Sequence, residues 1–309
     1  MSPEEAPGRT DYRALAARMG YASLRRRLKR QARYWFWKSL FPKDRFFMAL
    51  LKASGFQARA LANSLDFQIV RNMLPIPNLP PTFEGFTILQ LSDLHCDLHP
   101  EFTDRLVDKL KGLACDLAAF TGDYHNKIQE PPDDSLRRME RIVQAVPPPR
   151  LAVLGNHDFI EQVAFLEHIG LPTLLNESVA LERHGEKLWF AGVDDPHLFR
   201  SDDLVRASAR IPGGAPAILL SHSPGVYREA ARMGFSALLC GHTHGGQVCL
   251  PGGIPILSNV RVPRRMISGP WKYHSLTGYT SRGTGASGVP ARFWCPPEIT
   301  LHTLTHSPG

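Results

Sequence analysis

The sequence lacks a long apolar run. No uninterrupted apolar stretch reaches the roughly 18 to 20 residues that a membrane-spanning helix needs. Five basic residues break up the best candidate: Arg30, Arg33, Lys38, Lys43 and Arg45. No secretory apolar core with a cleavage site follows them. We therefore expect a chain that lies on a membrane and does not cross it.

Cysteine is scarce as well. The five cysteines are odd in number and spread through the chain, so they do not resemble a disulfide framework, and a reducing cytoplasm is the expected compartment. The length of 309 residues allows one substantial core of about 220 residues plus an appendage.

Acidic residues are rare in the N-terminal quarter. Residues 1–80 contain fifteen Lys or Arg against five Asp or Glu, a net charge of +10, whereas the remaining 229 residues carry about −3. The basic residues of 24–51 are interleaved with Trp and Phe, the pattern of an interfacial membrane anchor. Packing of this arm on the rest of the chain is the alternative. Nucleic-acid binding is disfavoured because the remaining residues are not basic.

Composition shifts predict two domains. Residues 1–81 form a basic, aromatic-rich helical extension that ends in a proline-rich connector at 74–81, where four prolines disfavour helix. Residues 82–309 form the second, larger domain.

Five short polar motifs dominate the larger domain. In order they are Asp93-Leu94-His95, Gly122-Asp123, Gly155-Asn156-His157-Asp158, Ser221-His222 and Gly241-His242-Thr243-His244. Each follows an apolar run typical of a strand buried on both faces, and helix-like stretches lie between the runs. This alternation predicts a layered α/β domain whose ligands bind at the carboxyl ends of the strands. The five motifs are therefore expected to converge.

The chemistry of the motifs indicates a two-metal site. Two divalent cations about 3.5 to 4 Å apart clamp the attacking and leaving oxygens of a displacement at phosphorus, so no protein nucleophile is required. Asp, Asn and His together suit Mn²⁺, Fe or Zn²⁺ better than Ca²⁺. We expect two divalent ions, with Mn²⁺ first and Fe or Zn²⁺ left open.

The order and chemistry of all five motifs resemble the calcineurin-like metallophosphoesterase superfamily, over about residues 86–304. The resemblance implies an αββα sandwich and a dinuclear, metal-dependent phosphoesterase. It also implies a first metal held by Asp93, His95 and His244, a bridge at Asp123, a second metal held by Asn156, His222 and His242, and a catalytic histidine at His157. That histidine would protonate the leaving oxygen or neutralise the phosphoryl charge.

One position departs from the superfamily pattern. Many members carry an acid three residues after the bridging Asp, and this chain has Asn126 there. The group that orients His157 is therefore left open. Asp158 either orients it or only caps the turn.

A finer resemblance concerns residues 241–247 and 296–299. They resemble a bacterial branch that includes membrane-associated phosphodiesterases and the UDP-2,3-diacylglucosamine pyrophosphatases of lipid A synthesis. With the basic arm on an anionic membrane, this predicts a peripheral enzyme on the inner, cytoplasmic membrane face. Its predicted reaction is cleavage of a phosphodiester or pyrophosphate bond in a lipid-linked nucleotide, UDP-2,3-diacylglucosamine, to UMP and a lipid monophosphate. The alternative is a broad-specificity phosphodiesterase or phosphatase acting on soluble nucleotides. The sequence predicts no oligomeric state.

Overall fold

The computed structural model describes residues 10–40, 43–126, 133–256 and 259–307, with the side chains of 35–40, 43–46 and 133 outside that description. The predicted anchor aromatics at 35–37 therefore lie outside the described side chains. Four helices come first along the chain: α1 Tyr12–Met19, α2 Tyr21–Leu40, α3 Lys43–Ala53 and α4 Gln57–Asn63.

The first sheet has five strands. They are β1 Gln68–Pro77, β2 Thr87–Leu91, β3 Leu117–Phe120, β4 Arg150–Ala152 and β13 Glu298–Ser307, arranged in the order β1-β13-β2-β3-β4. Strands β2, β3 and β4 are parallel, and β13 runs antiparallel to β2. The helices α5 Phe102–Leu110, α6 Asp133–Gln144 and α7 Val163–His168 connect or follow these strands. On α6, Met139, Ile142 and Val143 are fully buried, which is the spacing of an amphipathic helix face.

The second sheet has six strands. They are β5 Glu177–Arg183, β6 Glu186–Gly192, β7 Ala217–Leu220, β8 Ala237–Cys240, β11 Gly269–Tyr273 and β12 Leu276–Thr280, in the order β11-β12-β8-β7-β6-β5. Helices α8 Leu204–Ser208 and α9 Tyr227–Arg232 cover its outer face, and a short hairpin joins β9 Cys249–Leu250 to β10 Ile254–Pro255.

Three apolar clusters separate the layers. One lies between the first sheet and its helices, one between the two sheets, and one between the second sheet and α8 and α9. The middle cluster joins Ile88 and Leu117 of the first sheet to Phe190 and Leu220 of the second. The predicted αββα sandwich is therefore confirmed.

The proline-rich connector predicted at 74–81 is wrong over its first half. Residues 68–77 form β1, which pairs in parallel with β13 from Gln68 opposite Glu298 to Pro77 opposite Ser307. Pro75 and Pro77 are tolerated because β1 is an edge strand, where an imide nitrogen on the solvent side costs no ladder hydrogen bond. Leu74 and Ile76 are fully buried between the sheets. Strand β1 precedes the predicted domain boundary after residue 81, and it belongs to the sandwich.

The first part of the N-terminal arm packs on the sandwich. Leu15, Met19 and Leu24 are buried in the cluster beneath the first sheet's helices. The side chain of Arg27 is fully buried against Asp194. These residues of α1 and α2 therefore pack on the sandwich. The sequence leaves this packing as the alternative to membrane contact.

Within the described residues, no helix combines the length and apolar character needed to cross a bilayer.

Candidate active site

The five motifs begin where five strands end, and they meet at one edge of the sandwich. β2, β3 and β4 lead to the first three motifs, and β7 and β8 lead to the last two. Several motif residues have left-handed backbone conformations, which are uncommon outside glycine: Asp93, His95, Asp123, His242 and His244. Such strained conformations concentrate at functional sites, where the surrounding structure enforces them.

Asp93, His95 and His244 form the first group of ligand atoms, all within 4.8 Å of one another. The Nε2 atoms of His95 and His244 lie 3.3 Å apart, and His244 Nε2 lies 3.2 Å from Asp93 Oδ1. All three side chains are buried. The structure thus brings together the three residues predicted for the first metal.

Asp123, His222 and His242 form the second group within the same distance limit. His222 Nε2 lies 3.1 Å from His242 Nδ1 and 3.2 Å from Asn156 Oδ1. Asn156 therefore stands beside this group, as predicted for a ligand of the second metal.

Asp123 lies between the two groups. Its Oδ2 is 3.6 Å from His95 Nε2 of the first group and 3.2 Å from His222 Nε2 of the second. Its Oδ1 accepts a hydrogen bond from the backbone N–H of His157 at 2.8 Å. The carboxylate is placed as a bridging ligand requires.

Backbone carbonyls orient two of the histidines. His95 Nδ1 donates to the carbonyl of His125 at 3.1 Å, and His222 Nδ1 donates to the carbonyl of Thr121 at 2.8 Å. Because a carbonyl only accepts, each Nδ1 carries a proton, and each Nε2 is the nitrogen that faces its group and would bind a metal ion. This arrangement is common for metal-bound histidine.

The electrostatics of the site favour cations. Burial alone would lower the pKa of His222, but Asp123, Asp93 and Asp195 outweigh it and raise the pKa to about 10. Opposed imidazole nitrogens within 3.3 Å of each other need a proton or a metal ion between them. The mixed oxygen and nitrogen donors suit a borderline divalent ion. The residues present therefore fit two metal ions.

Glycine is required where the third motif crosses Asp123. A Cβ on Gly155 would lie 2.1 Å from Asp123 Oδ1 and 2.6 Å from the Asp123 backbone nitrogen. No side chain fits there without moving the carboxylate that stands between the two groups.

His157 lies beside both groups. Its ring packs edge-on against His95, with centroids 4.8 Å apart, and against Tyr34 of α2 at 6.5 Å. Asp158 uses its carboxylate for the backbone, accepting from the N–H groups of Asp123, Tyr124 and Gly155 at 2.7 to 2.8 Å. These contacts correspond to the turn-capping interpretation of Asp158. Burial, and then the nearby Asp123, raise the pKa of its carboxyl to about 7.

Asn126 occupies the position where many family members carry an acid, and its side-chain amide oxygen is used in a backbone contact. Its side-chain oxygen accepts from the backbone N–H of Gly288 at 2.9 Å, and its backbone N–H donates to Asp97 Oδ1 at 2.7 Å. Asp97 Oδ2 also lies 3.4 Å from His125 Nδ1. This network holds the segment whose carbonyl orients His95.

Sequence reasoning missed three residues around the site. Arg27 donates to the backbone carbonyl of Asp158 at 2.7 Å from within α2. Arg292, fully buried, donates to the carbonyls of Gly283 and Cys295 behind His244. Tyr34 lies by His157. None belongs to a motif, and only long-range packing reveals them.

Comparisons with known proteins agree with this site. Residues 86–246, just over half of the chain, match the family model for calcineurin-like phosphoesterases. The uncharacterized metallophosphoesterase YkoQ of Bacillus subtilis is 28% identical over 267 residues, covering 83% of this chain and 97% of that protein. YkuE, an uncharacterized metallophosphoesterase of the same organism, is 28% identical over 239 residues, covering 73% and 81%.

Among solved structures, the NAD nucleotidase NadN of Haemophilus influenzae aligns with a TM-score of 0.41 and 14% identity, over 66% of this chain and 45% of that chain. The family match extends over the strands that lead to all five motifs. The chain therefore belongs to the calcineurin-like phosphoesterase family and is a metal-dependent phosphoester hydrolase.

Proposed function

We propose that this enzyme hydrolyses a phosphodiester or pyrophosphate bond in a lipid-linked substrate at an anionic membrane surface. The observation that carries the proposal is an exposed apolar surface joined directly to the loop that bears His244. We call it the hairpin surface. It comprises residues that are each about half exposed: Phe47, Leu50, Phe56, Leu250, Ile254, Ile256 and Trp294.

Contacts connect much of the hairpin surface. The ring of Phe56 packs edge-on against Phe293 at 6.2 Å, and Phe293 lies 6.3 Å from Trp294. The backbone N–H of Cys249 donates to the carbonyl of Phe293 at 2.9 Å, which fastens the β9–β10 hairpin to these aromatics. Phe47 and Leu50 lie three residues apart on α3 and therefore share one face of that helix. Exposed apolar patches of this kind mark protein or membrane interaction sites.

The charge around the hairpin surface fits anionic headgroups. Residues 45–65 contain three Lys or Arg, and neither this segment nor residues 230–297 contain any Asp or Glu. Lys52 and Arg59 are exposed. Arg264, also exposed, reaches the carbonyl of Pro255 at 3.4 Å. Each basic residue near an anionic membrane contributes about 1 kcal/mol to its attraction.

The hairpin surface is anchored to the metal-ligand loop. Cys249 Sγ donates to the carbonyl of Gly245 at 3.2 Å, and Cys295 Sγ donates to the carbonyl of His244 at 3.2 Å. A Cβ on Gly246 would lie 2.8 Å from Pro255 Cβ, so hairpin and loop are in close contact. A lipid held on this surface would present its phosphate near the metal groups.

The site residues supply the rest of the reaction. Two divalent ions, of which we expect Mn²⁺, would supply Lewis-acid polarisation and a water of lowered pKa when bound. Asp93 and the histidines of the two groups would hold the ions, and Asp123 stands between the groups. We assign to His157, beside the first group, protonation of the leaving oxygen or neutralisation of phosphoryl charge.

UDP-2,3-diacylglucosamine remains the specific substrate that we propose, because it joins a diphosphate to two acyl chains. The test is mass spectrometry of products after incubation with Mn²⁺, using the wild-type chain and His157→Ala. Wild-type release of UMP and lipid monophosphate, absent in the variant, would support the proposal. Equal rates on acylated and deacylated substrate would favour a soluble nucleotide substrate instead.

A second variant tests the hairpin surface. Leu250→Ser/Ile254→Ser should reduce binding to vesicles containing anionic lipid by about ten-fold or more, because each side chain, half exposed in the free protein, would lose about half of the roughly 1.5 to 3 kcal/mol that full apolar burial contributes. The matched control is Val205→Ser, because Val205 is 69% exposed on α8, outside this surface. Equal vesicle binding by both variants would contradict the membrane role.

A further inference from the structure

A wide cleft lies beside the second metal group, on the α9 side of the molecule. Its volume is about 650 Å³. Four arginines from three separate segments of the sequence line it, two of them on α9, and we call it the arginine cleft: Arg200, Arg228, Arg232 and Arg261.

The arginine cleft is continuous with the metal-ligand residues. His197, which lines the cleft, has its ring centroid 4.1 Å from that of His242. Ser223, another lining residue, directly follows His222. Asn259 lines the cleft and donates its side-chain N–H to the carbonyl of His242 at 3.2 Å. A substrate at the metal groups would therefore extend into this cleft.

The arginine cleft has an excess of positive charge. Two acids, Asp202 and Glu229, also line it. Within the described parts of the chain, no carboxylate lies within 4.0 Å of any of the four guanidinium groups. Burial, with nearby carboxylates, raises the pKa of Asp202 to about 6, and this carboxyl is still mostly ionised at pH 7. Four arginines facing two acids leave the cleft cationic.

One of the arginines is held in place before any ligand binds. Arg228 Nε donates to the hydroxyl of Tyr227 at 2.9 Å, and its guanidinium lies 5.4 Å from the centroid of that ring. Tyr227 is itself buried. A guanidinium that is fixed loses less conformational entropy on binding, and its planar fork matches two phosphate oxygens.

We propose that the arginine cleft binds a second phosphate group of the substrate, the one adjacent to the phosphorus attacked at the metal centre. The inference rests on the proposed function and narrows its substrate class to diphosphate esters. Water adds its oxygen to the attacked phosphorus, and the bond to the bridging oxygen breaks with its electron pair retained by the second phosphate. One proton of the water is released, and two monoesters result. The leaving monoester is the one held by the arginines.

The test compares two probes that differ by one phosphoryl unit. They are bis(p-nitrophenyl) phosphate and P1,P2-bis(p-nitrophenyl) diphosphate, incubated with the full chain and Mn²⁺, with products separated by liquid chromatography. In Arg228→Ala/Arg232→Ala, the ratio of kcat/KM on the diphosphate to that on the monophosphate should fall about 10- to 100-fold, because charge-assisted hydrogen bonds to the second phosphate are lost. Arg228→Lys should give a smaller fall. Arg137→Ala, an exposed arginine of α6 outside the cleft, should leave the ratio unchanged.

A binding measurement provides a second readout. Titration calorimetry of the diphosphate probe with chelator-treated protein should show affinity in the wild type that weakens in Arg228→Ala/Arg232→Ala and persists in Arg137→Ala. An unchanged ratio and unchanged affinity would overturn the role of the cleft, as would a wild-type enzyme that cleaves the monophosphate probe and leaves the diphosphate intact. A wild type that cleaves neither probe would overturn the proposed function itself, and this inference with it.

Discussion

The buried pair of Arg27 and Asp194 determines whether α2 belongs to the enzyme's folded core. Both side chains are fully buried. The guanidinium of Arg27 donates to the Asp194 carboxylate and, at 2.7 Å, to the carbonyl of Asp158, and it lies 4.4 Å from the Phe199 ring centroid. Ser201 donates to the other oxygen of Asp194 at 2.5 Å. The pair therefore connects α2 to the segment that carries His157.

Arg27→Met should lower the free energy of unfolding by about 3 to 5 kcal/mol, the usual cost of leaving one buried charge without its partner. That is a large part of the roughly 5 to 15 kcal/mol by which a domain is stable. Removing both charges, in Arg27→Met/Asp194→Asn, should cost less than Arg27→Met alone, because no uncompensated carboxylate remains. kcat should also fall in Arg27→Met, since Tyr34 lies two helical turns further along α2 against His157.

The assay is urea denaturation followed by circular dichroism, with activity measured on the same samples. Arg25→Met is the matched control, because Arg25 is exposed on the same helix, and a change at an exposed site costs no more than about 0.5 kcal/mol. If the free energy of unfolding of Arg27→Met lay within about 1 kcal/mol of that of Arg25→Met, the buried pair would not hold α2 on the sandwich, and the reasoning would be refuted.

Three other outcomes are expected. Burial lowers the pKa of His302 to about 3, below its unfolded value near 6.5, so the unfolded chain takes up this proton first and stability falls as pH drops below 6.5. Between pH 7 and pH 5 the wild type should lose about 2 kcal/mol more than His302→Gln, and identical pH profiles in urea titrations would contradict this. His157→Ala should lower kcat about 10²- to 10⁴-fold with unchanged circular dichroism; full activity would exclude an acid role. Chelation should abolish hydrolysis until Mn²⁺ is restored, and metal at 100 times its Kd should add about 2.7 kcal/mol of stability in thermal unfolding; an unaffected rate would argue against a metal site.

The reaction centre was accessible from sequence because its information is local. Each motif directly follows an apolar run that forms a strand, such as Gly122-Asp123 after β3, and the carboxyl ends of parallel strands share an edge. Strand type and motif position were therefore sufficient to predict that Asp93, Asp123 and His222 would meet. Whether Asp158 orients His157 could not be read in this way, since it depends on which N–H groups lie nearest its carboxylate.

The sequence by itself thus determined a layered α/β domain and the residues that gather at its edge, through apolar runs and short motifs, and the family resemblance of those motifs implied the sandwich. Tertiary structure alone decided the rest. It made residues 68–77 an edge strand despite two prolines, because proline's missing N–H costs nothing on the open side of a sheet. It buried Arg27 against a carboxylate 167 residues away, and it gathered Arg200, Arg228 and Arg261 into one cleft. Such contacts join residues far apart in the chain, and no local pattern encodes which of them will meet.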